Sequence, residues 1–171
     1  HAFVTLDARG EREFAFARKP GADTCLSFSE IDLSLIDEAK IFHFGTLSLT
    51  DEPSRSATQQ AVAYARSRGK LVTYDPNLRL PLWKSAAEAK EQLLWGLEQA
   101  DVVKISEEEV HFLFGLGAKD GAEHICEAFS VKLVFVTCGA DGCYFRNTRT
   151  AGWEAALPGL HVVDTTGAGD I

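Results

Sequence analysis

The sequence predicts one α/β unit built on a mostly parallel sheet, and three observations carry that reading. Four short apolar runs rich in β-branched and aromatic residues recur along the chain: Ile41 to Phe44, Leu71 to Tyr74, Val102 to Ile105 and Leu133 to Thr137. Between them lie stretches whose apolar residues keep helical spacing. A length of 171 residues with 46% apolar and 25% charged side chains suits one domain with a substantial core. Buried strands alternating with crossover helices are the pattern of a parallel sheet covered on both faces.

The first twenty residues stand apart. Phe3 to Leu6 and Glu13 to Phe16 are strand patterns flanking Asp7-Ala8-Arg9-Gly10-Glu11, which is a hairpin signal. Pro20-Gly21 breaks the pattern, so residues 1–20 are expected to form a small β unit and residues 21–171 the α/β core. In the core, Ala57, Ala61, Tyr64, Ala65 and Arg68 share a helical face after the first strand. Ala86, Ala89, Leu93 and Leu97 do so after the second, with Ser85 and Glu88 spaced as a capping box. Ser106 and Glu109 have the same spacing ahead of a helix whose Val110, Leu113 and Phe114 face inward. Ala122, Ile125, Cys126 and Phe129 mark the next helix, and Cys143 to Arg146 a further strand.

Composition narrows the function. The formal charge is 17 − 25 = −8 and no basic stripe exists, which argues against nucleic acid as a partner. No apolar run reaches the length of a membrane-spanning helix, so no membrane role is expected. Cys25, Cys126, Cys138 and Cys143 form no C-x-x-C pair, and a reduced, cytoplasmic protein fits them best. The chain contains no Met, which suggests a segment of something longer.

Open parallel sheets bind ligands beyond the carboxyl ends of their strands. Chemistry is therefore expected in the segments after each strand and in the last residues, Asp164-Thr165-Thr166-Gly167-Ala168-Gly169-Asp170. Two glycines flanking one small residue let backbone amides converge on an anion. Asp170 in the same turn is placed to take a proton from an attacking hydroxyl, or else serves only as an N-cap. Thr137-Cys138-Gly139-Ala140-Asp141-Gly142 is a phosphate-approach turn or a plain β-turn. Asp75-Pro76-Asn77-Leu78-Arg79 is ordinary turn chemistry with Arg79 in a surface ion pair, or a loop whose Arg79 meets phosphate charge in the crevice. Lys104 reads as structural. His43 and His111 have no second His or Cys at metal-ligand spacing. No G-x-G-x-x-G follows the first strand, which sets aside a dinucleotide-binding domain.

The string D-T-T-G-A-G-D resembles the second signature of the PfkB (ribokinase-like) family of carbohydrate kinases. Tyr74 to Trp83 is similar to a stretch of the family's fructokinases, and Ile41 to Gly45, Val103 to Ser106 and Val136 to Gly139 fall in the family's order. The resemblance implies a ribokinase-like three-layer sandwich, with residues 1–20 as part of a β-lid that pairs with a second copy in a homodimer. It implies ATP and a sugar as substrates, most simply fructose giving fructose 6-phosphate, with a 2-keto-3-deoxygluconate kinase, a ribose or riboside kinase, or an inactive kinase-like scaffold, as alternatives. Asp170 is the implied base, and Gly167, Ala168 and Gly169 the anion hole. Thr137, Gly139 and Gly142 are implied at the nucleotide, and Asn77, Arg79 and Asp23 at substrate or phosphate. Glu109 is implied to order magnesium through water, although Ser106 stands where the family usually has Asn, and Asp164 and Thr166 to hold a potassium-like cation.

Overall fold

The structure is a computed structural model that describes the backbone of residues 2–6 and 12–16 and all atoms of residues 21–159. Strands β1 (Ala2–Leu6) and β2 (Arg12–Phe16) pair antiparallel, with Val4 opposite Phe14, as the hairpin signal predicts. After helix α1 (Leu33–Glu38) come β3 (Ile41–Gly45), α2 (Ser54–Ser67), β4 (Leu71–Asp75), α3 (Ala86–Gln99) and β5 (Val102–Ser106). Then follow α4 (Glu107–Phe114), α5 (Ala118–Phe129), β6 (Leu133–Thr137), β7 (Cys143–Asn147) and β8 (Ala151–Glu154). Strands β3 to β8 form one sheet in chain order. The β3 to β6 pairs are parallel, and β7 and β8 add antiparallel at one edge.

Register places the core. Phe44 lies opposite Tyr74, Tyr74 opposite Val103, Val103 opposite Val134, and Val136 opposite Tyr144, so one face of the sheet presents a continuous apolar band. All of these residues are buried, together with Val62, Leu93, Leu97, Val110, Leu113 and Ile125 from the helices. The alternate residues point the other way, and there Ile41, Leu71 and Phe135 are 53%, 37% and 36% exposed. Among the described residues, helices cover the face that carries this apolar band.

Two close approaches set the helical layer. Tyr74, stacked on Phe44 at a centroid distance of 4.7 Å, reaches α3 at Gly96, where an added Cβ would lie 2.3 Å from the Tyr74 Cζ. Gly121 gives the same clearance in α5, where an added Cβ would lie 2.1 Å from Val110 Cγ1. At the start of α3, Ser85 Oγ accepts from the Glu88 N–H at 3.1 Å, as the capping signal predicts. The Glu88 carboxylate turns instead to Arg55 of α2, at 2.6 Å, because a guanidinium is a stronger partner than an exposed amide. Only half of the predicted capping box therefore forms at α3. The sequence reading also passed over α1 and β8.

Candidate active site

The carboxyl ends of β3, β4, β5 and β6 converge, and their side chains are tied together. The carboxylate of Asp75, at the end of β4, accepts from Lys104 Nζ of β5 at 2.8 Å. Asp75 is buried, and its Oδ1 has no hydrogen-bond partner among the described residues, so one acceptor in the crevice is left over there. The Lys104 ammonium supplies the positive charge that makes this burial tolerable. Lys104 is thus a partner of the crevice carboxylate as well as the structural residue that its sequence position suggests.

The loop after β4 is pinned from two sides. The Thr46 N–H and hydroxyl both donate to the Pro76 carbonyl, and Gly45 is required beside it, because a Cβ there would sit 2.8 Å from the Asp75 carbonyl oxygen. From the other side the Leu78 N–H donates to Glu109 Oε1 at 2.6 Å. Between the two pins Asn77 adopts a left-handed backbone (φ 47°), which Asn tolerates better than most residues. Arg79 follows, half-buried, with Nη1 donating to the Leu78 carbonyl at 3.0 Å.

The start of α4 is the predicted capping box in full. The Glu109 N–H donates to Ser106 Oγ at 3.2 Å, and the Ser106 N–H to Glu109 Oε2 at 2.9 Å. Glu109 is 8% exposed, and burial pushes its carboxyl above the ordinary value against the pull of the two backbone N–H groups, with Asp75 adding to the rise. An open cleft of about 350 Å³ runs between residues 78–81 and the first turns of α4, with Arg79, Ser106 and Glu109 among its lining.

After β6 the chain makes the glycine turn. Gly139 (φ 55°) and Gly142 (φ 106°) both use conformations that favour glycine, and the Cys138 N–H donates to the Gly142 carbonyl at 2.8 Å. Gly142 is also sterically obligatory, since a Cβ would lie 2.1 Å from the Glu154 carbonyl oxygen of β8. Trp153 of β8 donates from Nε1 to the Asp141 carbonyl at 3.0 Å, closing the turn on that side. Burial, and then the carboxylate of Glu107, push the Cys138 thiol up to about 11. A neutral thiol is a poor nucleophile, so this loop offers backbone and hydroxyl groups rather than thiolate chemistry.

Of the remaining predicted residues, Asp23 is exposed in a short turn at Ala22–Thr24. His43 is exposed with Nδ1 at 2.9 Å from Thr73 Oγ1, and His111 is exposed on α4. No group of three or more His, Cys, Asp or Glu among the described residues is arranged to hold a metal. No helix among them is long and apolar enough to cross a membrane. Asp164, Thr166, Gly167, Ala168, Gly169 and Asp170 lie outside the described residues. Sequence reasoning missed the Glu109 to Leu78 and Lys104 to Asp75 contacts, which join segments far apart in the chain.

A parallel α/β sheet whose strand ends gather a glycine turn, a capped helix and a charged loop is the arrangement in which open α/β sheets bind small molecules. The chain belongs to the pfkB family of carbohydrate kinases, whose model matches residues 1–171. Fructokinase-2 from Solanum lycopersicum is 48% identical over 99% of this chain and 52% of its own length. A double-mutant fructokinase from Vibrio cholerae O395, in a form with fructose, ADP and potassium ion bound, superposes with a TM-score of 0.83 at 32% identity, over 99% of this chain and 54% of that one. Aminoimidazole riboside kinase from Salmonella enterica, complexed with aminoimidazole riboside and an ATP analogue, gives 0.78 at 29% identity, over 92% and 52%. The fold is accordingly the ribokinase-like sandwich. The chain spans about half the length of the relatives it matches.

Proposed function

We propose that this chain is the central part of an ATP-dependent sugar kinase that converts fructose to fructose 6-phosphate. The observation that carries the reading is the intact Asp164 to Asp170 string in a chain so similar, over nearly all its length, to a fructokinase. Asp170 takes the proton of the attacking sugar hydroxyl, that oxygen forms a bond to the γ-phosphorus, and the bond to the β-phosphate oxygen breaks to release ADP. The amides of Gly167, Ala168 and Gly169 stabilise charge on the transferring group. Thr137, Gly139 and Gly142 present hydroxyl and backbone to the nucleotide phosphates, and Asn77, Arg79 and Asp23 address substrate or phosphate.

Magnesium fits the donors present. Glu109 offers one carboxylate, each of whose oxygens keeps a lone pair beyond its backbone bond, and this suits a water-mediated contact rather than a direct cage. When bound, magnesium would be held through water by Glu109 and would neutralise phosphate charge that otherwise repels the nucleophile. Asp164 and Thr166 are the residues for a potassium ion, the cation named with the Vibrio enzyme. On this reading residues 1–20 form the lid over the sugar, residues 21–171 belong to the core, the lid pairs with that of a second copy, and the protein works in the cytoplasm.

The match to a riboside kinase favours one second reading, the same chemistry on a riboside. ATP-dependent ADP release by the full-length protein, with magnesium and potassium, over fructose, glucose, ribose, aminoimidazole riboside and 2-keto-3-deoxygluconate, separates them. Release with fructose that falls by a factor of order 10² or more in Asp170→Asn is the expected result. Release with another sugar replaces the substrate, and no release with any supports a scaffold.

A further inference from the structure

We infer that Glu109 is a positioning residue for the loop that carries Asn77 and Arg79, an assignment that rests on the kinase reading for its effect on turnover but not for its structural part. Both oxygens of its buried carboxylate are engaged by backbone, Oε2 by the Ser106 N–H at 2.9 Å and Oε1 by the Leu78 N–H at 2.6 Å. The first bond is local and is satisfied by the capping box alone. The second spans 31 residues and joins α4 to the loop after β4. A helix cap needs no such reach, so the second oxygen has a separate task.

That task follows from what stands on the other side of the loop. Thr46 holds the Pro76 carbonyl, Glu109 holds the Leu78 amide, and the single residue between them, Asn77, is left-handed. Extended or right-handed backbone at position 77 would swing the Leu78 N–H away from Oε1, so the carboxylate selects the strained conformer. Arg79, one residue on, lines the same cleft as Glu109, and the direction in which it leaves the loop is set by that conformer. Charge strengthens the contact, because a carboxylate accepts a backbone N–H more strongly than a neutral group does. The α4 corner therefore communicates with the Asn77 and Arg79 loop through one side chain.

Glu109→Gln keeps size and one acceptor while its amide N–H₂ faces one of the two backbone donors. In the full-length protein without nucleotide, sugar or metal, amide hydrogen exchange at Leu78 is expected to quicken by about tenfold or more in Glu109→Gln, in line with loss of a charge-assisted bond. Exchange unchanged at Leu78 overturns the assignment, whatever the protein phosphorylates. Turnover then tests the consequence. Glu109→Gln and Arg79→Ala are each expected to lower kcat/KM, by as much as about 10² where the loop is displaced by about 1 Å. The double variant is expected to be no worse than about threefold below the poorer single one, because both act through one loop. Losses that multiply, together with recovery of Glu109→Gln at raised magnesium, would place the role of Glu109 at the cation alone and overturn the inference. Far-ultraviolet circular dichroism of each variant checks that it is folded, and Glu109→Asp, one methylene too short to span both donors, is expected to behave like Glu109→Gln in exchange.

Discussion

Substituting Gly96 by alanine sets two opposing effects against each other. In a helix interior alanine is favoured over glycine by about 1 kcal/mol, so α3 alone would gain. The new Cβ, however, would lie 2.3 Å from Tyr74 Cζ and 2.6 Å from its hydroxyl oxygen. Tyr74 is 1% exposed, is stacked on Phe44, and donates weakly to the Leu93 carbonyl at 3.4 Å, so its ring has nowhere to retreat. Overpacking of a close-packed core costs roughly 1–3 kcal/mol, and occasionally more. With contacts this short the upper part of that range applies, and the net expectation after the helix gain is a loss of about 1–2 kcal/mol. Urea unfolding of the full-length protein, with the midpoint read at unchanged slope, measures it. A midpoint equal to or above that of the parent would refute the reasoning, since helix propensity would then outweigh a contact that the ring was able to yield. The double variant Gly96→Ala with Tyr74→Leu should recover part of the loss, as two residues in contact are coupled.

Other outcomes follow from the same geometry. Gly142→Ala should lower the melting temperature and raise the KM for ATP, because its φ is positive and its Cβ meets the β8 backbone; Gly139→Ala, with nothing within 4 Å among the described residues, should carry only a left-handed penalty of about 1–2 kcal/mol. The Glu109 carboxyl is raised in the folded state, so above its unfolded value near 4.5 ionisation is harder in the native protein than in the unfolded chain. The stability of the parent relative to Glu109→Gln should therefore fall as pH rises from about 4.5 through the folded value, and denaturation midpoints measured across that window check the sign.

Much of this fold is legible in local pattern, and what escapes has physical reasons. The runs at Leu71 and Val102 announce strands because their residues are β-branched or aromatic and bounded by turn chemistry. Strand β8 offers no such signal: Ala151-Gly152-Trp153-Glu154 is mostly exposed and contains a glycine, and it becomes a strand because β7 pairs with it and the Phe145 ring lies against Gly152. Helix α1 is six residues long, too short for a periodicity to register, and rests on the Asp32 cap at Ser34. The Ser106 and Glu109 spacing announces a helix start, and the cap forms. The reach of Glu109 to Leu78 does not follow from spacing, because only the packing of α4 beside the β4 loop brings a donor to the second oxygen. The same holds for Asp75 and Lys104, which meet because adjacent parallel strands bring them side by side.

The contact between Gly142 and the Glu154 carbonyl divides the requirements on the edge strand in an unusual way. Side chains of β8 look mostly into solvent, and at positions 151 and 154 almost any hydrophilic replacement should leave the sheet intact. Its main chain, in contrast, forms the wall against which the glycine turn after β6 is moulded. An insertion or deletion of a single residue there would slide the carbonyl along the ladder and put a neighbouring group into the space that Gly142 leaves open. Relatives of this chain should therefore vary freely in the spelling of this strand while keeping its length.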